Sequence, residues 1–409
     1  MLAALDIGAS KITCFIGSTQ QGPGPLRVAG VGTQASRGVR NGVIVDMDLA
    51  LEAIRAAVEQ AERMAATAVS DVAVSVSGFG VRADHLDAEI PVPSGEITAR
   101  QTRAAVAAAM RQLKLDGRHM MHASPSFFVL DGQKVRDPRG MIGRRLGVRL
   151  TVISVPAAQW RNLVMCAERA HLHVIGAIPA PWASALAALA EDELETGALL
   201  VDMGARCTTA ALVSGGALAH VETVPIGADH VTQDIAQCFS TPAHHAERLK
   251  VMYGSAIASL NEDAQMIDAP QYCDDGSVIQ AQMPRSLLTG IVRPRVEETF
   301  ELLRDLLMAR GALRPGHGRR IVLTGGGAQL SGVRELAARI FEGHVRVGRP
   351  QRYGGLGDAV SGPAYAVPAG LLRWGIERPG PVNLADAPPE MPQNPVIRAA
   401  AWLRDVLWQ

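Results

Sequence analysis

Leu5-Asp6-Ile7-Gly8-Ala9-Ser10-Lys11-Ile12-Thr13, near the start of the chain, returns in pattern as Val201-Asp202-Met203-Gly204-Ala205-Arg206-Cys207-Thr208-Thr209. Each copy is an apolar strand ending in Asp, a short turn opened by Gly, and a second apolar strand. One Asp-x-Gly turn is ordinary hairpin chemistry. Two in the same internal register imply a duplicated α/β core with an acidic hairpin in each half. Gly after the Asp lets the turn backbone approach a phosphate with no Cβ in the way. Successive N–H groups in such a turn form an anion-binding concavity. Asp6 and Asp202, at the strand ends, suit a hydrated Mg2+, which keeps most of its waters.

A third element follows from Arg320-Ile321-Val322-Leu323-Thr324-Gly325-Gly326-Gly327-Ala328, a strand running into three glycines. A helix is expected after it, capped by Ser331 and carrying Val333, Leu336, Ala337 and Ile340 on one face. Behind two phosphate hairpins, this turn suits the floor under an adenosine and its α-phosphate.

The 409 residues exceed one ordinary core, and about two to four folding units are expected. Hydrophobic residues make up 48% but aromatics only 4%, so Ala, Val and Leu must fill the cores. Lys plus Arg and Asp plus Glu stand at 40 each, giving no positive excess for nucleic acid. Cys14, Cys166, Cys207, Cys238 and Cys273 are scattered and form no C-x-x-C pair. Neither a disulfide framework nor a Cys-type zinc site is expected, and a reducing cytoplasm fits. The start lacks the basic region and apolar run of a signal peptide. The longest apolar-looking stretch, residues 171–190, is spoiled as a bilayer span by His171, His173, Pro179 and Pro181. His119, His122, His244 and His245 lack carboxylates at metal-ligand spacing.

Residues 28–31 and 72–76 read as strands. Residues 49–64 read as a helix with Leu51, Ile54, Val58, Ala61 and Ala65 on one face, capped by Asp46 or Asp48. Strand 151–155, helix 159–170 and strand 174–178 continue an α/β alternation. Residues 82–154 differ, with short strands around an Ala-rich helix at 98–113, and read as an inserted subdomain. Residues 244–285 read as a smaller irregular insert. The lobes are then 1–81 with 155–196 and 197–243 with 286–357, and 358–376 is a helix closing back on the first. Residues 377–394 carry Pro379, Pro381, Pro388, Pro389 and Pro392 and read as a flexible tether spanning roughly 25 Å.

Residues 395–409 turn apolar again. On a helical wheel Val396, Ala399, Ala400, Leu403 and Leu407 share a face. The stretch is too short to span a bilayer and suits a helix lying in the interface, where Trp is favoured. Its membrane-facing set is Val396, Ile397, Trp402, Leu403, Val406, Leu407 and Trp408. Basic content is thin, Arg398 and Arg404 against Asp405. Apolar burial must therefore drive attachment, and polymerisation would add avidity to one marginal anchor.

The two hairpins and the triple-glycine turn together resemble the nucleotide site of the actin/Hsp70/sugar-kinase superfamily, with phosphate elements at 6–13 and 202–209 and an adenosine element at 323–328. The helices that cross between lobes in that fold are matched by 176–189 and 357–372, both rich in Gly, Ala and Ser. Within the superfamily, the chain resembles the FtsA cell-division family over nearly its whole length. Ser36-Arg37-Gly38 with Gly42, Ile44 and Asp46 is similar to that family's N-terminal lobe pattern. Pro138-Arg139-Gly140-Met141 and Gly143-Arg144-Arg145-Leu146 resemble its inserted subdomain. Ala246-Glu247-Arg248-Leu249-Lys250 resembles the superfamily segment whose Glu and Lys contact ribose and adenine.

The resemblance implies an actin-like (ribonuclease H-like) duplicated two-lobe α/β ATPase fold, with an inserted α+β subdomain and a C-terminal amphipathic helix. It implies ATP and Mg2+ as ligands. The nucleotide-binding residues would be Gly8, Ala9, Ser10, Lys11, Gly204, Ala205, Arg206, Gly227, Glu247, Lys250, Gly325, Gly326 and Gly327, with Asp6 and Asp202 toward the metal. It further implies a peripheral protein on the inner face of the cytoplasmic membrane at the division site, which polymerises with its own copies and helps recruit later division proteins. It would bind the C-terminal tail of the tubulin homologue FtsZ through Arg285, Arg293 and Arg295, just before a helix at 296–308.

Two departures stand out. Many relatives read D-x-G-G-G-T in the second hairpin, where this chain has Asp202-Met203-Gly204-Ala205-Arg206-Cys207. Chaperone relatives carry a Glu where Ala180 stands. Without a carboxylate to order an attacking water, nucleotide is expected as a structural ligand or switch, with hydrolysis slow or absent. Two other readings share the fold: a PilM-like pilus adaptor, which lacks a tethered tail, and a sugar kinase, which needs a catalytic Asp that the sequence does not offer.

Overall fold

In the first half, Leu2–Ile7 pairs antiparallel with Lys11–Ser18 and sets Asp6 opposite Thr13. In the second half, Ala198–Met203 pairs with Thr208–Ser214 and sets Asp202 opposite Thr209. The echo in the sequence is thus an echo in strand register. These pairings come from a computed structural model that describes residues 1–18, 26–93, 95–273, 277–313, 319–351, 353–355 and 357–377. Apart from Glu377, the expected tether at 377–394 lies outside the described residues, as does the tail at 395–409 with Val396, Ile397, Trp402, Leu403, Val406, Leu407 and Trp408.

Each hairpin gains a third antiparallel strand on one side, Leu26–Ala35 in the first half and Ala217–Val224 in the second. On its other side each gains parallel neighbours. These are Asp71–Val76 then His173–Pro179 in the first half, and Arg320–Thr324 then His344–Val347 in the second. Parallel strands need crossover connections, and helices supply them. Two mixed sheets of the same plan result, and their central strands Leu2–Ile7 and Ala198–Met203 are buried along nearly their whole length, as in α/β sheets.

The scarcity of aromatics shows in how the layers meet. Helix Met47–Ala65 lies on strand Leu26–Ala35 with Ala53, Ala57 and Ala61 inward. A Cβ on Gly32 would come 1.8 Å from the Ala57 carbonyl oxygen, and one on Gly30 would come 2.2 Å from that of Ala61. Small residues on both partners let backbone pack on backbone. The same device joins the crossing helices Ala180–Ala188 and Ala366–Glu377, where a Cβ on Gly370 would fall 1.7 Å from the Ala183 carbonyl oxygen.

Between the halves of the first lobe sits a separate α+β unit. Its four-stranded antiparallel sheet runs in the order Arg82–Pro91, Arg145–Pro156, Arg118–Leu130, Gln133–Val135. Helix Ala99–Met110 packs on it around a core of its own, including Ile97, Val106, Met110, Leu146 and Leu150. The second lobe carries a two-stranded ribbon, Met266–Tyr272 with Val278–Pro284.

One local expectation is settled between its two alternatives and others shift. Asp46 is the cap of the first helix, accepting from the Asp48 and Leu49 amides at 3.1 Å. The helix after the triple glycine is capped by Gly332 rather than Ser331, and a short 3-10 turn, Gly326–Gln329, intervenes. The first crossing helix begins at Ala180, because residues 173–179 are a sheet strand held extended before Pro179 and Pro181. The second begins at Ala366 after two 3-10 turns, Asp358–Val360 and Pro363–Tyr365, and runs through Glu377. The helix expected at 296–308 spans Arg285–Ala309. Arg285, Arg293 and Arg295 therefore lie within it, not before it.

Candidate functional site

Both acidic hairpins close with the same bond. The Gly8 amide donates to the Lys11 carbonyl at 3.1 Å, and the Gly204 amide donates to the Cys207 carbonyl at 3.0 Å. A Cβ on Gly8 or Gly204 would lie 2.8 or 2.9 Å from that carbonyl oxygen, so each turn is as tight as glycine allows. Each carboxylate is held by one serine. Ser75 Oγ donates to Asp6 Oδ1 at 2.6 Å, and Ser184 Oγ donates to Asp202 Oδ2 at 2.5 Å.

The second hairpin is fastened to the start of helix Ala228–Cys238. The Ala228 amide donates to the Gly204 carbonyl at 3.0 Å and the Asp229 amide to the Ala205 carbonyl at 2.8 Å. Gly227 is needed for this approach, because a Cβ there would sit 2.5 Å from the Gly204 oxygen. Arg206 turns its guanidinium to Asp229 at 3.0 Å. On helix Ala243–Tyr253, the buried Lys250 ammonium meets Glu247 at 2.7 Å and donates to Thr232 Oγ1 at 2.9 Å. At the triple glycine, Gly325 adopts φ +84°, and a Cβ there would lie 2.4 Å from Asp202 Oδ1. Gly326 faces open space.

The two hairpin turns, Gly227, Asp229, Glu247, Lys250 and the triple glycine line one cleft of about 760 Å3, a volume that suits a small-molecule ligand. Asp6, Asp202 and the thirteen residues from Gly8 to Gly327 expected around a nucleotide all contribute to its walls. Ala180 lines it too, and its methyl offers no group that could order a water. Arg285 is also in the wall, its Nε donating to the Tyr253 carbonyl at 2.9 Å and its Nη1 to Gln265 Oε1 at 3.0 Å.

Burial dominates the electrostatics of the site. Burial pushes the Asp6 carboxyl up to about 6, with the Asp202 charge adding to the rise and the Ser75 hydroxyl opposing it. Burial also raises Asp202, against the Ser184 bond. Burial lowers the Lys11 ammonium to about 8, against the attraction of Asp6. A divalent cation near the two carboxylates and an anion near Lys11 would each relieve part of that cost. Two carboxylates with waters and phosphate oxygens form a donor set suited to Mg2+, so the residues fit the expected group. Among the described residues no cluster of three or more His, Cys, Asp and Glu could hold a metal by itself.

Arg293 and Arg295 lie away from the cleft. Two apart on a helix, they do not share a face. Arg295 is committed to Asp234 at 2.5 Å and Glu298 at 2.6 Å. Arg293 pairs with Glu297 at 3.6 Å and lines a separate hollow of about 440 Å3 with Glu262 and Asp263. The five cysteines are free. His119 stacks on Trp160, and His244 packs against His245. Among the described residues no helix is long and apolar enough to cross a membrane.

Sequence reasoning missed Ser75, Ser184, Asp229 and Tyr365, the last stacked on Phe15 and lying against Lys11. Only Ser75 carried a signal, as a polar residue beside the end of an apolar strand. The others come to the site by tertiary packing, and of the four only Asp229 lines the cleft itself.

Comparison with known proteins matches this geometry to named families. Residues 199–370 match the profile described as cell division protein FtsA, and residues 78–154 match that of the SHS2 domain inserted in FtsA. The chain is 40% identical over 382 residues to cell division protein FtsA of Rhizobium meliloti (strain 1021), covering 91% of this chain and 86% of that protein. It is 33% identical over 381 residues to its counterpart in Pseudomonas aeruginosa, at 92% and 90% coverage. It is 30% identical over 384 residues to that of Escherichia coli (strain K12), also at 92% and 90%. Among solved structures, the PilM-PilN type IV pilus biogenesis complex aligns with a TM-score of 0.66 at 17% identity, covering 92% of this chain and 98% of the other. MreB5 of Spiroplasma citri bound to ADP aligns with a TM-score of 0.54 at 14% identity, covering 90% and 94%. These structural likenesses establish the actin-like fold.

Proposed function

The chain belongs to the FtsA family of cell division proteins, and from that premise we propose that its interlobe cleft binds ATP with Mg2+ and that the occupied protein assembles at the membrane to hold FtsZ filaments there. The observation that carries the reading is the pair of hairpins in matching register, Asp6 to Lys11 and Asp202 to Cys207, lining one cleft. Gly8 to Lys11 and Gly204 to Arg206 would receive the phosphates. Glu247 and Lys250 would receive ribose and adenine, over the floor of Gly325 to Gly327. Asp6 and Asp202 would hold the hydrated cation, which supplies charge neutralisation between the carboxylates and the phosphates.

Ala180 supports a switch rather than a fast ATPase, since a methyl cannot orient water. The inserted α+β unit is the proposed contact for later division proteins. The helix Arg285–Ala309 face around Arg293 is the proposed seat of the FtsZ tail. The residues from 395 onward are the proposed membrane helix.

The test is co-sedimentation with anionic vesicles, comparing the full chain with residues 1–394, with and without ATP and FtsZ. Loss of sedimentation on truncation, and FtsZ recruitment only by the full chain, would support the reading. Unchanged membrane binding by the truncated chain would refute the anchor. A PilM-like adaptor predicts no difference between the two chains.

A further inference from the structure

The turn that leads into the second crossing helix touches both walls of the cleft. Its Pro363 carbonyl accepts from the Gly325 amide at 3.1 Å and from Thr324 Oγ1 at 3.2 Å, both in the second lobe. Two residues on, the Tyr365 ring reaches the first lobe, where Lys11 Nζ stands 3.4 Å from the ring centroid. The ring is itself fixed, stacked on the fully buried Phe15 with centroids 6.1 Å apart and planes 16° apart. Helix Ala366–Glu377 begins at the next residue.

We propose that Tyr365 is a positioning residue for phosphate-bearing ligands, holding the Lys11 ammonium by its ring face so that the remaining N–H donors point into the cleft. This inference rests on the nucleotide reading above and goes beyond it, because Tyr365 was not among the residues expected at the site. The chemistry is complementary. A lysine ammonium has three donors on a flexible stem, and a ring face satisfies the charge on one side without consuming all of them. Lys11 is half-buried, and a ring face beside it favours the charged form over the neutral one. Phosphate then meets a cation that is charged and already placed.

The test compares Tyr365→Leu and Tyr365→Phe with the unaltered chain, titrating ATP, ADP and adenosine by calorimetry in the presence of Mg2+. The leucine variant should bind ATP and ADP roughly five- to tenfold more weakly. It should bind adenosine unchanged, which also reports an intact fold. The phenylalanine variant, which keeps the ring, should restore the phosphate-bearing ligands to within about twofold of the unaltered chain. ATP binding by the leucine variant as tight as the unaltered chain overturns the proposal. So does an equal loss for adenosine, which would mark Tyr365 as merely structural. If the unaltered chain binds neither ATP nor ADP, the nucleotide reading itself falls, and this inference falls with it.

Discussion

Asp6 and Asp202 end matching strands in different lobes and line the same cleft, close enough that the charge on Asp202 helps push the Asp6 carboxyl up to about 6. Neither lobe could build this pair alone. Each carboxylate is held by a hydroxyl donor from a neighbouring element, Ser75 from a parallel strand and Ser184 from a crossing helix. Burying the two carboxylates carries an electrostatic cost that a bound cation would offset, and stability and binding should trade against each other here.

Asp6→Asn should expose that trade. The amide keeps an acceptor for Ser75 and removes the buried charge. Because the folded carboxyl sits above its ordinary value of 3.8, its cost is absent below about pH 4 and complete above about pH 6. The ligand-free variant should gain on the order of 1–3 kcal/mol at pH 7.5 in denaturant titration. The gain should vanish at pH 4, and Mg2+-dependent ATP binding should fall by roughly tenfold or more.

The three consecutive glycines should not be equivalent. Ala at Gly325 must take φ +84° and push a methyl to 2.4 Å from Asp202 Oδ1, so it should lower stability by about 2 kcal/mol or more. Gly326→Ala meets open space and should melt within about 0.5–1 kcal/mol of the unaltered chain. Thermal unfolding of the two variants side by side checks this.

Gly370 is where the crossing helices touch. A methyl there would fall 1.7 Å from the Ala183 oxygen, and the helices would have to separate. Gly370→Ala should destabilise by about 2–3 kcal/mol despite the better helix propensity of alanine. A melting temperature above that of the unaltered chain would show that the helices are not held this closely.

The inserted unit meets the second lobe through a pair of imidazoles. His85 Nε2 lies 3.0 Å from His220 Nδ1, and His220 Nε2 lies 3.0 Å from Glu222 Oε1. Burial holds His85 below its ordinary value of 6.5, with His220 and Arg149 adding to the effect and Asp87 and Asp84 opposing it. A lowered histidine favours the neutral ring in the fold. The unfolded chain therefore takes the proton first as pH drops through 6.5, and stability falls. His85 is itself exposed, and solvent screening keeps this loss small between pH 7.5 and 5.5. His85→Gln should flatten that dependence in pH-resolved denaturation.

The duplicated core was legible because its signals are local. Strand alternation and Asp-x-Gly turns need no distant partner, and register repeats from Asp6–Thr13 to Asp202–Thr209 as the letters do. Helix Arg285–Ala309 was misread at its start because Pro294 signals a break. The helix continues because Leu288, Val292, Val296, Phe300, Leu303 and Leu307 bury one face along its length, a tertiary gain that outweighs one lost backbone bond. Crossing-helix boundaries blurred because Gly-, Ala- and Ser-rich strand and helix look alike by periodicity. The Arg206–Asp229 and Lys11–Tyr365 contacts join residues far apart in sequence and had no local mark.

Calorimetric titration of Mg2+ and ATP into the full chain and into Gly326→Trp, which puts a bulky ring into the cleft from a position where a Cβ meets nothing within 4 Å, bears most directly on the cleft. Saturable one-to-one binding by the unaltered chain, abolished in the variant while its circular dichroism is unchanged, is the expected result. Equal ATP binding by both proteins, or none by the folded unaltered chain, would contradict it.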